Sequence, residues 1–349
     1  MKVKSTKAAM LVEQNAELAV EHISLPESLD FGQVLVEVHF SGICGSQIGE
    51  ITGVKGRDPY LPHLLGHEGS GIVLETGPKV SSVREGDHVV MHWRPGKGIQ
   101  STPPRYMWGN QEVNAGYVTT FNQYAVISEN RLTSIDGAVD MEVASLFGCA
   151  VTTGIGVVNN DAELKIGESI VIFGAGGIGL SIIQAALLSG GYPIVAIDLY
   201  DEKLQLAKKF GATHVINSSD ECVTTQLEII LESSKPNVVV DNTGVTDVIN
   251  EAYNLTSSSG RTVLVGVPKK GENASIDTLP LHFQKRLIGS EGGDCKPDID
   301  IPNYLRLYEN KILDLEGMIT AHYSLDDINS AIKAMREGRI AGRVIVSMF

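Results

Sequence analysis

Apolar and polar positions along this chain change their period near residue 165. Before that point, short alternating runs at 8–13, 18–23 and 34–40 predict strands, separated by Pro26 and the turn Asp30-Phe31-Gly32. Further runs at 71–75, 85–91 and 116–127 continue an antiparallel β region. Residues 92–116 follow no period and read as a long loop carrying Trp93, Arg94, Lys97, Arg105 and Trp108. The small-residue stretch 147–158 predicts a close-packed helix carrying Cys149.

After residue 165, strands at 170–173, 194–197, 214–216, 238–241, 262–265 and 287–289 alternate with helices at 177–189, 202–210, 222–232 and 245–255. That alternation predicts a doubly wound parallel sheet, so the chain is read as α/β. A helix at 302–309 follows. A final helix carries Ile328, Ala331, Ile332 and Met335 on one face, with Ser324 and Asp327 as its N-terminal cap and Gly338 at its end. The strand 343–347 closes the chain. β-rich material therefore lies at both ends: residues 1–151 and 292–349 are expected to form one discontinuous domain around an inserted domain, 152–291, with the working site in the cleft between them.

The inserted domain opens on an apolar strand that runs into Gly174-x-Gly176-x-x-Gly179 and then an apolar helix. In that context the glycines are a dinucleotide-binding turn. Gly174 permits the turn, Gly176 lets backbone approach a pyrophosphate, and Gly179 lets the helix pack on the strand. Asp198 ends the next strand, 19 residues after Gly179, where a carboxylate accepts hydrogen bonds from an adenosine ribose. Leu199 and Tyr200 offer no arginine to a 2′-phosphate, so NAD is favoured over NADP. Lys203 either reaches the same ribose or faces solvent.

Composition narrows the rest. With 349 residues, 43% hydrophobic and 20% charged, the chain can fill two cores. A net charge of −14 argues against nucleic acid or an anionic membrane surface as partner. No apolar run approaches the roughly 20 residues of a membrane span. The four cysteines are too scattered for a disulfide framework, and a cytoplasmic location is expected. Two thiolates and an imidazole suit zinc with one open position, but spacing alone does not join Cys44, His67 and Cys149.

The motifs taken together resemble the zinc-dependent medium-chain alcohol dehydrogenases over essentially the full length. They are Gly42-Ile-Cys-Gly-Ser46, Gly66-His-Glu-Gly69, Gly86-Asp-His-Val89, Gly148-Cys-Ala-Val-Thr-Thr-Gly154, the glycine turn, Asp241-Asn-Thr-Gly244 and Val265-Gly-Val267. The resemblance implies a Rossmann domain, with Gly177 and Val267 at the cofactor, and a GroES-like catalytic domain. It implies one catalytic zinc on Cys44, His67 and Cys149. It implies that Ser46 accepts the alcohol proton and that Glu68 stands behind the zinc or ligates it transiently. Thr153 and Ile178 match positions beside the nicotinamide, and Arg343 a basic residue near the pyrophosphate. Homodimers or homotetramers are implied as well. Gln47 departs from the family, which usually has Asp there, and Gly49 stands where some relatives have a relay histidine. No cysteine occurs between 90 and 125, so no structural zinc is expected. The substrate is read as a polyol, sugar or sugar derivative bordered by the 92–116 loop. Alternatives are a simple alcohol or S-(hydroxymethyl)glutathione, and a non-catalytic NAD-binding sensor.

Overall fold

The computed structural model describes all 349 residues, in two compact units: Met1–Cys149 with Lys296–Phe349, and Ala150–Cys295.

The first unit holds two sheets. Five strands run in the order His63–Leu64, Ser5–Leu11, Ala19–Ser24, Tyr106–Trp108, Gln111–Val113. The second sheet has seven strands. Its path runs Leu132–Ile135, His88–His92, Glu68–Thr76, Gln33–Gly42, Arg343–Ser347, Ile319–Ser324, and Tyr124–Ser128 pairs the other side of Gln33–Gly42. Alternate residues of Gln33–Gly42 point to two different cores. Val34, Val36 and Val38 join a cluster with Met91, Phe121, Ile328 and Val344, while Leu35 packs with Met10 and Tyr106. The C-terminal strand pairs Ile345 with Gly42 and Val346 with Ser41, so the end of the chain is laid beside the residues that lead into Cys44.

The second unit is a six-stranded, all-parallel sheet in the order His214–Asn217, Ile194–Asp198, Ile170–Phe173, Val238–Asp241, Arg261–Leu264, Arg286–Gly289. Its central strand, Ile-Val-Ile-Phe, is buried at every position, as a strand covered on both faces requires. The order is that of a Rossmann sheet, with the direction of winding reversing beside Ile170–Phe173. No single helix of the chain is long and apolar enough to cross a membrane.

Four local readings need correction. The 92–116 segment is not all loop: Tyr106–Trp108 and Gln111–Val113 form a hairpin, closed at Gly109 with φ +59°, because Tyr106 and Val113 are apolar enough to be wholly buried. The 147–158 stretch is interrupted. Cys149 takes φ −150°, ψ −64° between a 3₁₀ turn, Leu146–Gly148, and the helix Ala150–Gly156, after which Val157–Asp161 forms a π turn. The helix expected from residue 302 begins at Pro297, whose missing N–H costs nothing in the first turn, and carries Pro302 inside. Ser324 Oγ hydrogen-bonds Asp327 Oδ2 at 2.6 Å, and neither side chain caps the Ile328–Arg336 helix.

A sulfur and imidazole cluster and a glycine turn

Three neighbouring strands of the seven-stranded sheet bring separate segments to one end. Gln33–Gly42 leads into Cys44, Glu68–Thr76 starts directly after His67, and Arg343–Ser347 starts at Arg343. Cys149 comes close to them because Gly148 has no side chain. A Cβ there would stand 2.3 Å from Met91 O and 2.6 Å from Glu68 Cα. The Cys44 and Cys149 sulfurs come to 4.0 Å, and one His67 ring nitrogen and both sulfurs lie within 4.8 Å of one another.

Both sulfurs are buried, and 4.0 Å is far beyond a disulfide bond. A tetrahedral zinc about 2.3 Å from each would set them about 3.8 Å apart. His67 Nε2 is buried with no hydrogen-bond partner. A buried imidazole nitrogen left open beside two thiols is a costly arrangement for a core and an ordinary one for a metal site, so the residues fit zinc.

The electrostatics agree. The hydrogen bond from Cys149 holds the Cys44 thiol well below its usual range, against burial and with help from His67. The same contact, with burial, pushes Cys149 well up. Burial works to lower His67, but the Cys44 sulfur and Glu68 raise it. Glu68 is fully buried and forms an ion pair with the almost equally buried Arg343 guanidinium. Burial opposes the Arg343 charge, and Glu68 and the two sulfurs more than offset it. Sequence reasoning missed this pairing. Its only signal is the closing Gly342-Arg343-Val344 lying far from everything it touches.

The GroES-like alcohol dehydrogenase model matches residues 30–137, and the zinc-binding dehydrogenase model matches residues 177–310. The chain is 32% identical to the S-(hydroxymethyl)glutathione dehydrogenase of Paracoccus denitrificans, over 98% of this chain and 99% of that one. It belongs to the zinc-dependent medium-chain alcohol dehydrogenases. The fold agrees. Benzyl alcohol dehydrogenase from Acinetobacter calcoaceticus superposes with a TM-score of 0.89 at 28% identity, covering 99% of this chain and 100% of that one. The 2R,3R-butanediol dehydrogenase of Bacillus subtilis gives 0.79 at 25% identity, with 99% and 100% coverage.

The remaining residues of this alcohol dehydrogenase fall as follows. Ser46 is exposed in the helix Gly45–Ile51. In the second unit, Gly179 packs so closely that a Cβ would stand 2.0 Å from Gly174 O. Around Gly176 a Cβ would meet nothing within 4 Å, and no side chain caps the helix Gly177–Leu188 that starts there. Uncapped first-turn N–H groups beside open space fit a cofactor pyrophosphate. Asp198 is almost buried. Its Oδ2 accepts the Ala175 N–H of the turn at 2.8 Å and its Oδ1 accepts those of Leu199 and Tyr200. Lys203 Nζ lies 3.9 Å from that Oδ1 and 4.7 Å from the centre of the Tyr200 ring. Gly177 and Ile178 open the helix and are half-buried, Thr153 is buried in Ala150–Gly156, and Val267 is 55% exposed.

Proposed function

We propose that this zinc- and NAD-dependent alcohol dehydrogenase acts on a polyol, sugar or sugar derivative, oxidising a CH–OH group or reducing the corresponding carbonyl. The observation that carries the reading is the pair of buried sulfurs facing the unpartnered His67 Nε2. Cys44, His67 and Cys149 would hold one zinc ion, which when bound would supply Lewis acidity toward the substrate oxygen. Ser46 receives the hydroxyl proton, a role its exposure on the first turn of its helix supports. Glu68, balanced by Arg343, keeps a negative charge behind the cluster without leaving it uncompensated. On the cofactor, the amides of Gly177, Ile178 and Gly179 take the pyrophosphate and Asp198 takes the ribose. Thr153, Val267 and Lys203 border the dinucleotide.

A cavity of about 510 Å³ supports the polar substrate. Its lining includes His67, Gln47, Glu50, Thr102, Arg105 and Asn114, so the 92–116 segment supplies part of its wall. A second reading, S-(hydroxymethyl)glutathione or a simple alcohol as substrate, is favoured by the likeness to the Paracoccus enzyme. The chain assembles as a homodimer or homotetramer. Arg286–Gly289 has a neighbour on one side only, and Leu279 and Phe283, just before it, are 62% and 67% exposed. A cytoplasmic location fits four free cysteines and a net charge of −14.

The test is a turnover screen over polyols, sugars, sugar phosphates, simple alcohols and formaldehyde with and without glutathione, each with NAD and NADP. The expected result is polyol or sugar oxidation with NAD at least about tenfold better in kcat/KM. Turnover confined to the glutathione adduct would replace the substrate assignment, and a tenfold preference for NADP would overturn the role of Asp198.

A further inference from the structure

The helix Gly45–Ile51 starts at Cys44, and Gln47 closes its first turn. Gln47 Oε1 accepts the Cys44 backbone N–H at 3.0 Å. The other end of the same amide, Nε2, hydrogen-bonds His67 Nδ1. Gln47 is 2% exposed, so water does not stand in for either contact. One side chain therefore serves two segments that each supply a ligand to the sulfur and imidazole cluster.

The donors and acceptors do not balance once a metal is present. An amide N–H only donates, and Gln47 has a single acceptor oxygen, Oε1, for the two segments it touches. His67 Nε2 is buried with no partner of its own, which leaves it as the nitrogen available to a metal. Ligation through Nε2 leaves the ring proton on Nδ1 and needs an acceptor facing it. Rotating the amide puts Oε1 against that N–H, but it also turns the NH₂ group toward the Cys44 N–H, donor against donor. Whichever way the amide is turned, two N–H groups share one oxygen. A carboxylate at this position has an oxygen for each.

We propose that Gln47 is a positioning residue that couples metal binding at His67 to the start of the helix carrying Cys44, so that this chain holds its metal more loosely than a carboxylate at position 47 would allow. With the ion bound, the Cys44 N–H at the helix start and the His67 Nδ1–H compete for the one Gln47 oxygen. This rests on the reading of Cys44, His67 and Cys149 as the metal ligands.

The experiment strips the full-length chain with a chelator and titrates Zn²⁺ and Co²⁺ against a chromophoric competitor. It uses the parent, Gln47→Glu, which keeps the shape and adds an oxygen, and Gln47→Met, which keeps the length and removes both. Affinity is expected to rise about tenfold to hundredfold in Gln47→Glu and to fall about tenfold in Gln47→Met. The melting temperature of the metal-free forms reads the helix start separately. Nitrogen NMR of the metal-loaded parent reads His67 directly, with the metal expected on Nε2 and the proton on Nδ1. Parent and Gln47→Glu affinities within about threefold of each other, or a metal-loaded His67 ligating through Nδ1, would overturn the proposal alone. Failure of all three proteins to bind either ion would overturn the ligand assignment and the proposal with it.

Discussion

Two buried polar groups of the β-rich unit, the Glu129 carboxylate and His67 Nε2, are treated oppositely. Where the chain passes through residues 81–102, Glu129 is wholly buried and fully engaged. It accepts from the backbone N–H groups of Ser81, Ser82 and Ile99 at 2.7–2.8 Å and from the Ser82 hydroxyl at 2.9 Å. Burial alone would raise its pKa, and these donors more than reverse that, holding it below the usual carboxylate range. Gln33 Nε2 adds a bond to Thr102 O. At the sulfur and imidazole cluster, by contrast, His67 Nε2 has no partner and two thiols face each other. Glu129 is satisfied by the chain it holds in place, whereas the open imidazole nitrogen of His67 stands with two thiols, and that grouping of metal-binding atoms is what identifies the site.

That contrast can be broken first at the Glu68–Arg343 pair. Arg343→Met leaves the Glu68 carboxylate buried without the cation that faces it. The expected cost is about 3–5 kcal/mol in urea unfolding of the metal-free protein. The double variant Arg343→Met/Glu68→Gln should recover more than half of it. A single variant costing under about 1 kcal/mol would mean that the pair is not the compensated charge described here.

A smaller effect tests the satisfied side. His92 is buried, with Nδ1 donating to Arg94 O at 2.8 Å and Nε2 accepting from the Thr133 hydroxyl at 2.9 Å. Burial lowers its pKa to about 4. The unfolded chain, titrating near 6.5, then binds more protons between those two values, so stability rises with pH across that window. His92 contributes fully above about pH 6.5, and up to about 3 kcal/mol is lost as pH falls through 4. Unfolding followed from pH 4 to 7 should show this slope, and His92→Gln should flatten it. An unchanged slope in the variant would assign the acid sensitivity elsewhere.

The two regions also differ in how far the amino-acid sequence discloses them. The glycine turn is contiguous, its chemistry is backbone chemistry, and the strand and helix around it are visible in the hydrophobic period. The parallel sheet is legible for the same reason. The cluster is assembled from residues 44, 67 and 149, and nothing local joins them. Only the motif resemblance did so. The small residues around Cys149 mark close packing without saying where the backbone breaks, so the interruption between Leu146–Gly148 and Ala150–Gly156 is not legible in them. The Glu68–Arg343 pair depends on the last strand returning beside Gly42, a pairing between chain ends that no period encodes. The Tyr106–Val113 hairpin escaped notice because its strands are three residues long, shorter than an alternation can reveal.

The central claim is that Cys44, His67 and Cys149 hold the one ion on which alcohol oxidation depends. Its most direct test is zinc content measured alongside turnover, in the full-length chain and in Cys149→Ser, with circular dichroism confirming that both are folded. The account predicts about one zinc per chain in the parent and, in the folded variant, loss of zinc together with loss of turnover by about a thousandfold or more. Undiminished zinc and turnover in Cys149→Ser, or full turnover from a metal-free parent, would contradict it.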